Sequence, residues 1–225
     1  PKTHAEWAHD SFEHAGAAGG FIDRFGYPFC RGRLLNVLEK DRGQYDTVRS
    51  LFWATGAALM VRPADWNAAG GFDARFFAHF EEIDFCWRLR ARARKIVCVT
   101  DSVVYHVGGG TLPADNPRKT YLNFRNSLTM LYKNLPDDEL QHVLSVRKWL
   151  DAMAWFKFFV SGDFANAKAV RRARKDFHKW KHQFDPERKK NLENTTLFDI
   201  PERIQRSLIY AFYVQGKKTF AQFMS

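Results

Sequence analysis

The hydrophobic pattern of the chain changes at Asn134-Leu135-Pro136, where a helix stop signal separates two kinds of sequence. Before it, short apolar runs typical of strands alternate with segments typical of helices. After it, only helical patterns follow, over residues 139–161 and 163–184. This order predicts an α/β fold followed by a helical extension, with units at residues 1–135 and 136–225.

Local signals place several elements of the first unit. The small apolar run 53–61 predicts a buried strand, and the aperiodic, glycine-rich and aromatic segment 14–33 predicts a loop. Pro63 opens a short helix that Gly70 and Gly71 close. Residues 81–95 and 117–133 are the next predicted helices.

Three carboxylates crowd the start of the helix predicted at residue 81. Asp84 and Arg88 are spaced for an i, i+4 ion pair, and Arg88 can also hold Glu81 on the same face. Glu82 is rotated by about 100° from Glu81 and has no such partner. A free carboxylate beside a cleft can act as general base towards a sugar hydroxyl. The alternative is an acidic first turn that only stabilises the helix dipole.

A histidine and a glycine run follow the next predicted strand. His106 ends that strand, at the sheet edge where ligands often bind. The backbone of Gly108, Gly109, Gly110 and Thr111 can approach a diphosphate closely, and His106 can complete the coordination of a divalent metal, Mg²⁺ or Mn²⁺. The alternative for His106 is a structural histidine in the core or at the sheet rim. The alternative for the glycine run is a simple turn.

Other candidate binding residues flank these motifs. Arg118 and Arg125 share one face of the next helix and can grip phosphate oxygens, unless that face is merely solvated. Trp53, Thr55 and Gly56 can form a platform for an acceptor sugar, although Trp53 is equally suited to the core. Asn123 and Asn126 add amides of undecided orientation.

The positive charge is clustered. The formal net charge is +10, and residues 147–190 carry thirteen Lys or Arg against five Asp or Glu, interleaved with aromatic residues. This pattern is typical of a helix on an anionic membrane, and residues 139–184 are predicted to form such a surface. The alternative is a helical cap whose aromatics belong to the core. No nucleic-acid motif accompanies the charge, so nucleic acid is not an expected partner.

Three cysteines without paired spacing disfavour a disulfide framework or a zinc site and favour a reducing cytoplasm. No apolar run approaches the roughly 20 residues that cross a bilayer. The expected location is therefore the cytoplasm. If residues 139–184 bind a membrane, the expected position is the inner face of the plasma membrane.

In order along the chain, four motifs resemble the family 2 glycosyltransferases of the GT-A fold, particularly rhamnosyltransferase-like bacterial enzymes. They are WATGAALMVR at 53–62, AGGFDARFFAHFEEIDFCWRLR at 69–90, VVYHVGGGT at 103–111 and NPRKTYLNFRNSLTMLYKN at 116–134. The upstream segment 15–33 is similar to the linker of such enzymes.

The resemblance implies inverting sugar transfer from a nucleotide-sugar donor to a saccharide or lipid-linked acceptor, in cell-surface polysaccharide synthesis. The family's base falls on Glu82, with Glu81 as second choice, its metal ligand on His106 and its glycine turn on Gly108–Gly110. Metal and basic residues would stabilise the leaving nucleoside diphosphate.

One departure from the family is large. The Rossmann-like nucleotide-binding half, with its Asp-x-Asp metal motif, has no counterpart in these residues. We therefore expect a partial GT-A domain that is inactive by itself. A basic module that binds membrane or nucleic acid without catalysis is the competing hypothesis.

Overall fold

A computed structural model of the chain describes residues 11–12, 16–102 and 116–225. Its strands are short: β1 Gly20–Asp23, β2 Pro28–Cys30, β3 Arg33–Leu34, β4 Val37–Leu38, β5 Arg49–Leu51, β6 Ile96–Cys98 and β7 Arg203–Ile204. Its helices are α1 Pro63–Ala69, α2 Glu81–Ala91, α3 Pro117–Asn134, α4 Asp137–Val160, α5 Phe164–Trp180, α6 Asp185–Glu193, α7 Leu208–Tyr213 and α8 Phe220–Met224. The predicted α/β class is confirmed, and most of the chain after residue 135 is helical.

The strands form two sheets. The first has the order β4-β3-β2-β1-β7, in which β1 to β4 pair antiparallel and β7 joins β1 in parallel. The second sheet is the antiparallel pair β5 and β6. The first sheet is therefore mixed, and its edge strand β7 comes from the C-terminal tail of the chain.

Helix boundaries follow local signals in the sequence. Pro63 stands at the start of α1, and Gly70 closes that helix with a φ of 83°. Asn116 caps α3 by accepting the backbone N–H of Arg118 through its side chain, with Pro117 at the first helical position. The helices predicted from these signals are confirmed.

Two predictions about strands are wrong. Residues 14–33 contain β1 and β2, joined by the turn at Gly26, rather than loop alone. Residues 53–61 contain only an isolated bridge from Trp53 to Gly20 and a 3₁₀ turn, Gly56–Ala58. Met60 in that segment is 97% exposed, so the run is no buried strand.

Aromatic residues of the tail pack onto the first sheet. The Phe220 ring lies 5.1 Å from that of Phe21, and the Phe223 ring lies 4.9 Å from that of Phe29, edge to face. Asp23 at the end of β1 accepts the backbone N–H of Leu208, the first residue of α7. The first sheet and the tail thus share one hydrophobic core.

Helix α3 lies at the centre of the helical part and packs against α2, α4, α5 and α6. Its C-terminal half is buried, including Lys133 and Asn134. Because α3 contacts α2 directly, the helical part supports the start of α2, where the predicted carboxylates lie. In the described ranges, no helix has the length and apolar character that crossing a membrane requires.

Candidate active site

The loop before α2 is held in an unusual backbone conformation. Phe77, His79 and Phe80 have φ values of 67°, 68° and 73°, a region that residues with a Cβ seldom adopt. Each such residue costs on the order of 1–3 kcal/mol and persists only where its surroundings enforce it. Strain of this kind is concentrated at functional sites, and here it fixes the direction from which α2 begins.

The side-chain amide of Asn126 enforces that conformation. Its Nδ2 donates to the carbonyl oxygens of Phe76, Ala78 and His79, at 3.0, 2.9 and 2.7 Å. Asn126 is 1% exposed, so these bonds are shielded from water. The sequence left the orientation of this amide undecided, and the structure directs it at the loop.

Arg125 supports the same loop. Its Nη2 donates to the carbonyl oxygens of Arg75 and Phe76, both at 3.0 Å, and its Nε donates to Asn126 Oδ1. The guanidinium of Arg118 lies 4.6 Å from the centre of the Phe77 ring. Both predicted phosphate-binding arginines therefore contact the loop, and their role towards a diphosphate stays a prediction.

Asp84 is the buried anchor of α2. Its Oδ2 accepts from Lys133 Nζ at 2.8 Å and from Arg88 Nε at 3.1 Å, and its Oδ1 accepts from Asn134 Nδ2 at 2.8 Å. Asp84 itself is 0% exposed. The predicted pair of Asp84 and Arg88 is confirmed, and with three donors Asp84 is a structural carboxylate that positions the helix.

Arg88 also has a structural role. Besides Asp84, it donates to the carbonyl oxygens of Gly71, at 2.7 Å, and Ala69. These bonds fix the end of α1 against α2. Within the described residues no ion pair joins Arg88 to Glu81, which was the further contact expected from their spacing.

Glu81 and Glu82 remain without such anchors. In the part of the chain that the structure describes, Glu81 Oε2, Glu82 Oε2 and His79 Nε2 are buried and have no hydrogen-bond partner. Leaving a buried polar atom unpaired costs about 1–3 kcal/mol, and most buried polar atoms are paired. Three such atoms lie within four positions, at and just before the start of α2, which makes this group the candidate site.

The ionisation of these groups follows their burial. Burial, reinforced by the negative charge of Glu81, raises the pKa of Glu82 to about 7, although backbone N–H groups at the helix start act in the opposite direction. Burial also raises the pKa of Glu81. Burial and the charge of Lys119 lower the pKa of His79, so its imidazole is neutral near pH 7.

Burial is the largest cause of both shifts. It raises the pKa of Glu81 and of Glu82, while backbone hydrogen bonds lower them by less. A carboxyl whose pKa is about 7 is suited to accept a proton at neutral pH. The role of Glu82 as a general base stays a prediction.

The predicted acceptor segment lies beside Glu82. A Cβ added at Gly56 would lie 4.0 Å from Glu82 Cβ, so the exposed turn Gly56–Ala58 faces the start of α2. Thr55 Oγ1 accepts the N–H of Ala57 and shapes that turn. A side chain at position 56 would therefore come into van der Waals contact with Glu82 Cβ.

Trp53 serves the core rather than this opening. Its side chain is buried, its Nε1 donates to the carbonyl oxygen of Phe21 at 2.9 Å, and its ring covers Gly20 so closely that no Cβ fits there. Trp53 is therefore a core residue, which was the alternative to its predicted role in acceptor binding. Its ring offers no face to a sugar. The acceptor-binding role of Thr55 and Gly56 stays a prediction.

The remaining predicted residues lie outside the described part of the chain. They are His106, Gly108, Gly109, Gly110 and Thr111. Among the described residues, no group of three His, Cys, Asp or Glu side chains could hold a metal ion. The predicted divalent metal and its ligand His106 therefore stay a prediction, and the chemistry derived below has no step through a metal ion.

A separate cavity of about 180 Å³ lies between α3 and α5. Phe76, Arg125, Asn126, Phe177, Trp180 and Phe184 contribute to its lining. Neither Glu81 nor Glu82 lines this cavity, so it is distinct from the unpaired carboxylates.

Comparison with known proteins gives one partial similarity. A stretch of 103 residues, 46% of this chain, is 26% identical to the O-antigen biosynthesis protein RfbC of Myxococcus xanthus. The match covers only 8% of that protein's length. No family model matches the chain, and no solved structure is significantly similar to it.

Sequence reasoning missed two of the residues that shape this site. His79 stands in the motif AHFEE without a spacing that singles it out, and only the fold shows its ring nitrogen to be buried and unpaired. Lys133 reaches Asp84 from a helix 49 residues further along the chain. No local sequence signal marks the burial of His79 or the contact between Lys133 and Asp84.

Proposed function

We propose that this chain is the acceptor-side part of a family 2 glycosyltransferase with a partial GT-A fold, acting in cell-surface polysaccharide synthesis. The observation that carries the proposal is the carboxyl of Glu82, whose Oε2 is buried without a hydrogen-bond partner among the described residues and whose pKa burial raises to about 7. The Cβ of Glu82 lies near the exposed turn at Gly56. The partial similarity to an O-antigen biosynthesis protein supports the same class of pathway.

In this proposal Glu82 acts as the general base. Its ionised carboxylate takes the proton from the attacking hydroxyl of a saccharide or lipid-linked acceptor. The hydroxyl oxygen bonds to the anomeric carbon of the donor sugar, while the bond from that carbon to the diphosphate oxygen breaks. The nucleoside diphosphate leaves, and the configuration at the anomeric carbon is inverted.

The other residues position this base. Asp84, Arg88 and Lys133 fix α2 in place, and Asn126 fixes the loop that precedes α2. In the proposal the exposed turn at Thr55 and Gly56, which lies near Glu82 Cβ, contacts the acceptor. A rigid support matters because a misplacement of about 1 Å can cost roughly a hundredfold in rate.

The substitution Glu82→Gln in the complete gene product tests the proposal. It keeps the shape of the side chain and removes the base, so transfer should fall by about 10²–10⁴-fold while donor binding is retained. Release of nucleoside diphosphate from a panel of UDP-, GDP- and dTDP-hexoses measures transfer, with glycan precursors of the producing cell as acceptors. Calorimetric titration with the nucleoside diphosphates measures binding.

Glu81→Gln is the matched control, because the same chemical change is made one position away. We expect that variant to retain transfer at neutral pH. If Glu82→Gln is folded and transfers sugar at the rate of the unchanged protein, Glu82 is not the base. A loss confined to Glu81→Gln would move the role to Glu81.

A further inference from the structure

Helix α4 leaves a row of large apolar side chains in solvent. Trp149, Met153, Phe156 and Val160 are 71%, 56%, 58% and 63% exposed. Their spacing of four, three and four positions places them on one helix face. Soluble proteins rarely expose a continuous apolar row of this kind unless it contacts something.

The other face of α4 already supplies the core contacts of this helix. Leu140 and Val143 are buried in the hydrophobic core, and Arg147 and Asp151 form a buried ion pair. The sequence alone left open whether the aromatics of residues 139–184 are core residues. For Trp149 and Phe156 the exposure shows that they are not.

Helix α7 extends the apolar row. Lys157 Nζ lies 5.8 Å from the centre of the Tyr213 ring, so the end of α7 lies beside the last turns of α4. Tyr210 and Tyr213 are 55% and 59% exposed. We call Trp149, Met153, Phe156, Val160, Tyr210 and Tyr213, with Lys148 and Lys157, the α4–α7 surface.

The charge around this surface has one sign. Between residues 141 and 161 of α4 the exposed charged side chains are Lys148 and Lys157, whereas the one acid, Asp151, is buried and paired with Arg147 and Arg174. The neighbouring helix α5 adds further exposed basic residues: Lys168, Arg171, Arg172, Lys175 and Lys179.

We propose that the α4–α7 surface binds an anionic lipid bilayer. Tryptophan, tyrosine and phenylalanine favour the boundary between headgroups and acyl chains, and lysine stems reach from that depth to the phosphates. Positive charge without exposed carboxylates complements anionic lipid. Pairing α4 of two copies would bury the apolar row but leave its flanking lysines without acidic partners on that face, so the bilayer is the better match.

Sedimentation with vesicles tests the proposal directly. The 225-residue chain should pellet with vesicles of phosphatidylcholine and phosphatidylglycerol in equal parts, and remain in solution with phosphatidylcholine alone. Added salt should weaken the binding. The assay contains neither donor nor acceptor, so its outcome is independent of the proposed enzymatic function.

Two matched pairs of variants locate the contact. Phe156→Ser should reduce vesicle affinity by roughly tenfold or more, whereas Phe198→Ser, at a phenylalanine that is 60% exposed elsewhere, should leave affinity unchanged. Lys148→Gln with Lys157→Gln should cost about thirtyfold. Lys95→Gln with Lys190→Gln removes the same charge from exposed positions before β6 and in α6, outside the α4–α7 surface, and should cost far less.

All six positions that these variants change are exposed, so the variants should fold, which circular dichroism checks. Equal pelleting with neutral and anionic vesicles would overturn the proposal, as would equal losses in Phe156→Ser and Phe198→Ser. A dimer in analytical ultracentrifugation that Phe156→Ser dissociates, without vesicle binding, would assign the surface to a second copy instead.

Discussion

The carboxyl of Glu82 lies where ionisation is costly. The rise of its pKa from 4.5 to about 7 corresponds to roughly 3 kcal/mol of preference for the neutral form. Burial causes most of this rise, and the adjacent Glu81 contributes. A base of this kind is ionised only above about pH 7, so its action depends on pH within the physiological range.

The pH dependence of transfer should report on Glu82. Because only the ionised carboxylate accepts a proton, kcat/KM should fall as the pH drops below about 7. Glu81→Gln removes a negative charge that opposes ionisation of Glu82, so the pKa of Glu82 falls and the acidic limb of the profile moves to lower pH. A pH series of kcat/KM on both proteins measures this.

Glu193→Gln is the control for that series, since it removes one carboxylate from the exposed end of α6. Its profile should coincide with that of the unchanged protein. An acidic limb that stays in place in Glu81→Gln, or moves to higher pH, would contradict the coupling between the two carboxyls.

Contacts within one helix could be predicted from the sequence, and contacts between helices could not. The pair of Asp84 and Arg88 follows from a spacing of four positions. Lys133 and Asn134 reach Asp84 across 49 and 50 positions, and no periodicity encodes that approach. The burial that shifts the pKa of Glu82 is also a product of packing.

At the scale of elements, α2 depends on the loop before it. That loop contains left-handed residues at Phe77, His79 and Phe80, and its carbonyl oxygens converge on the amide of Asn126. The strain is offset by three hydrogen bonds from one buried side chain of α3. The start of α2, where Glu82 lies, is thereby connected to a helix that is distant in sequence.

Asn126→Ala should release this loop. The carbonyl oxygens of Phe76, Ala78 and His79 lose this donor, although that of Phe76 keeps Arg125 Nη2. The free energy of unfolding should fall by about 2–3 kcal/mol. Displacement of the base should lower kcat/KM by roughly a hundredfold. Denaturant unfolding and transfer assays measure the two effects.

Asn123→Ala is the matched control on the same helix, at a less buried asparagine. It should change the free energy of unfolding by less than about 0.5 kcal/mol. If Asn126→Ala is as active as Asn123→Ala, the loop does not position the base.

Element boundaries with local chemical signals were predictable. Proline at the start and glycine at the end of α1 mark that helix, and Asn116-Pro117 marks the start of α3. The run 53–61 misled because small apolar residues also suit an exposed 3₁₀ turn, which Thr55 caps. The hairpin of β1 and β2 was missed because its partner strands are only three or four residues long.

At the scale of the whole molecule, buried ion pairs connect distant segments. Arg147 of α4 pairs with Asp151 and donates to Ser127 of α3 and to the carbonyl oxygen of Phe25, after β1. Removing one member of a buried pair is costly, since it leaves the other charge uncompensated. Such pairs make the sheet and the helices mutually dependent, and this dependence crosses the predicted boundary at residue 135.

The same dependence applies to the C-terminal helix α8. Phe223 is 0% exposed and packs edge to face on Phe29 of the first sheet. Phe223→Ala should lower the free energy of unfolding by about 3–5 kcal/mol through the lost contacts and the cavity that remains. Because the sheet and the helices share buried contacts, the whole chain should unfold in one transition at a lower denaturant concentration.

Urea unfolding followed by both tryptophan fluorescence and far-ultraviolet circular dichroism measures that transition. Phe198→Ala, at a largely exposed phenylalanine, is the control and should change the free energy of unfolding by less than about 0.5 kcal/mol. Coincident transitions that shift together in Phe223→Ala indicate a single cooperative unit. Two separate transitions, of which Phe223→Ala shifts only one, would instead support independent units on either side of residue 135.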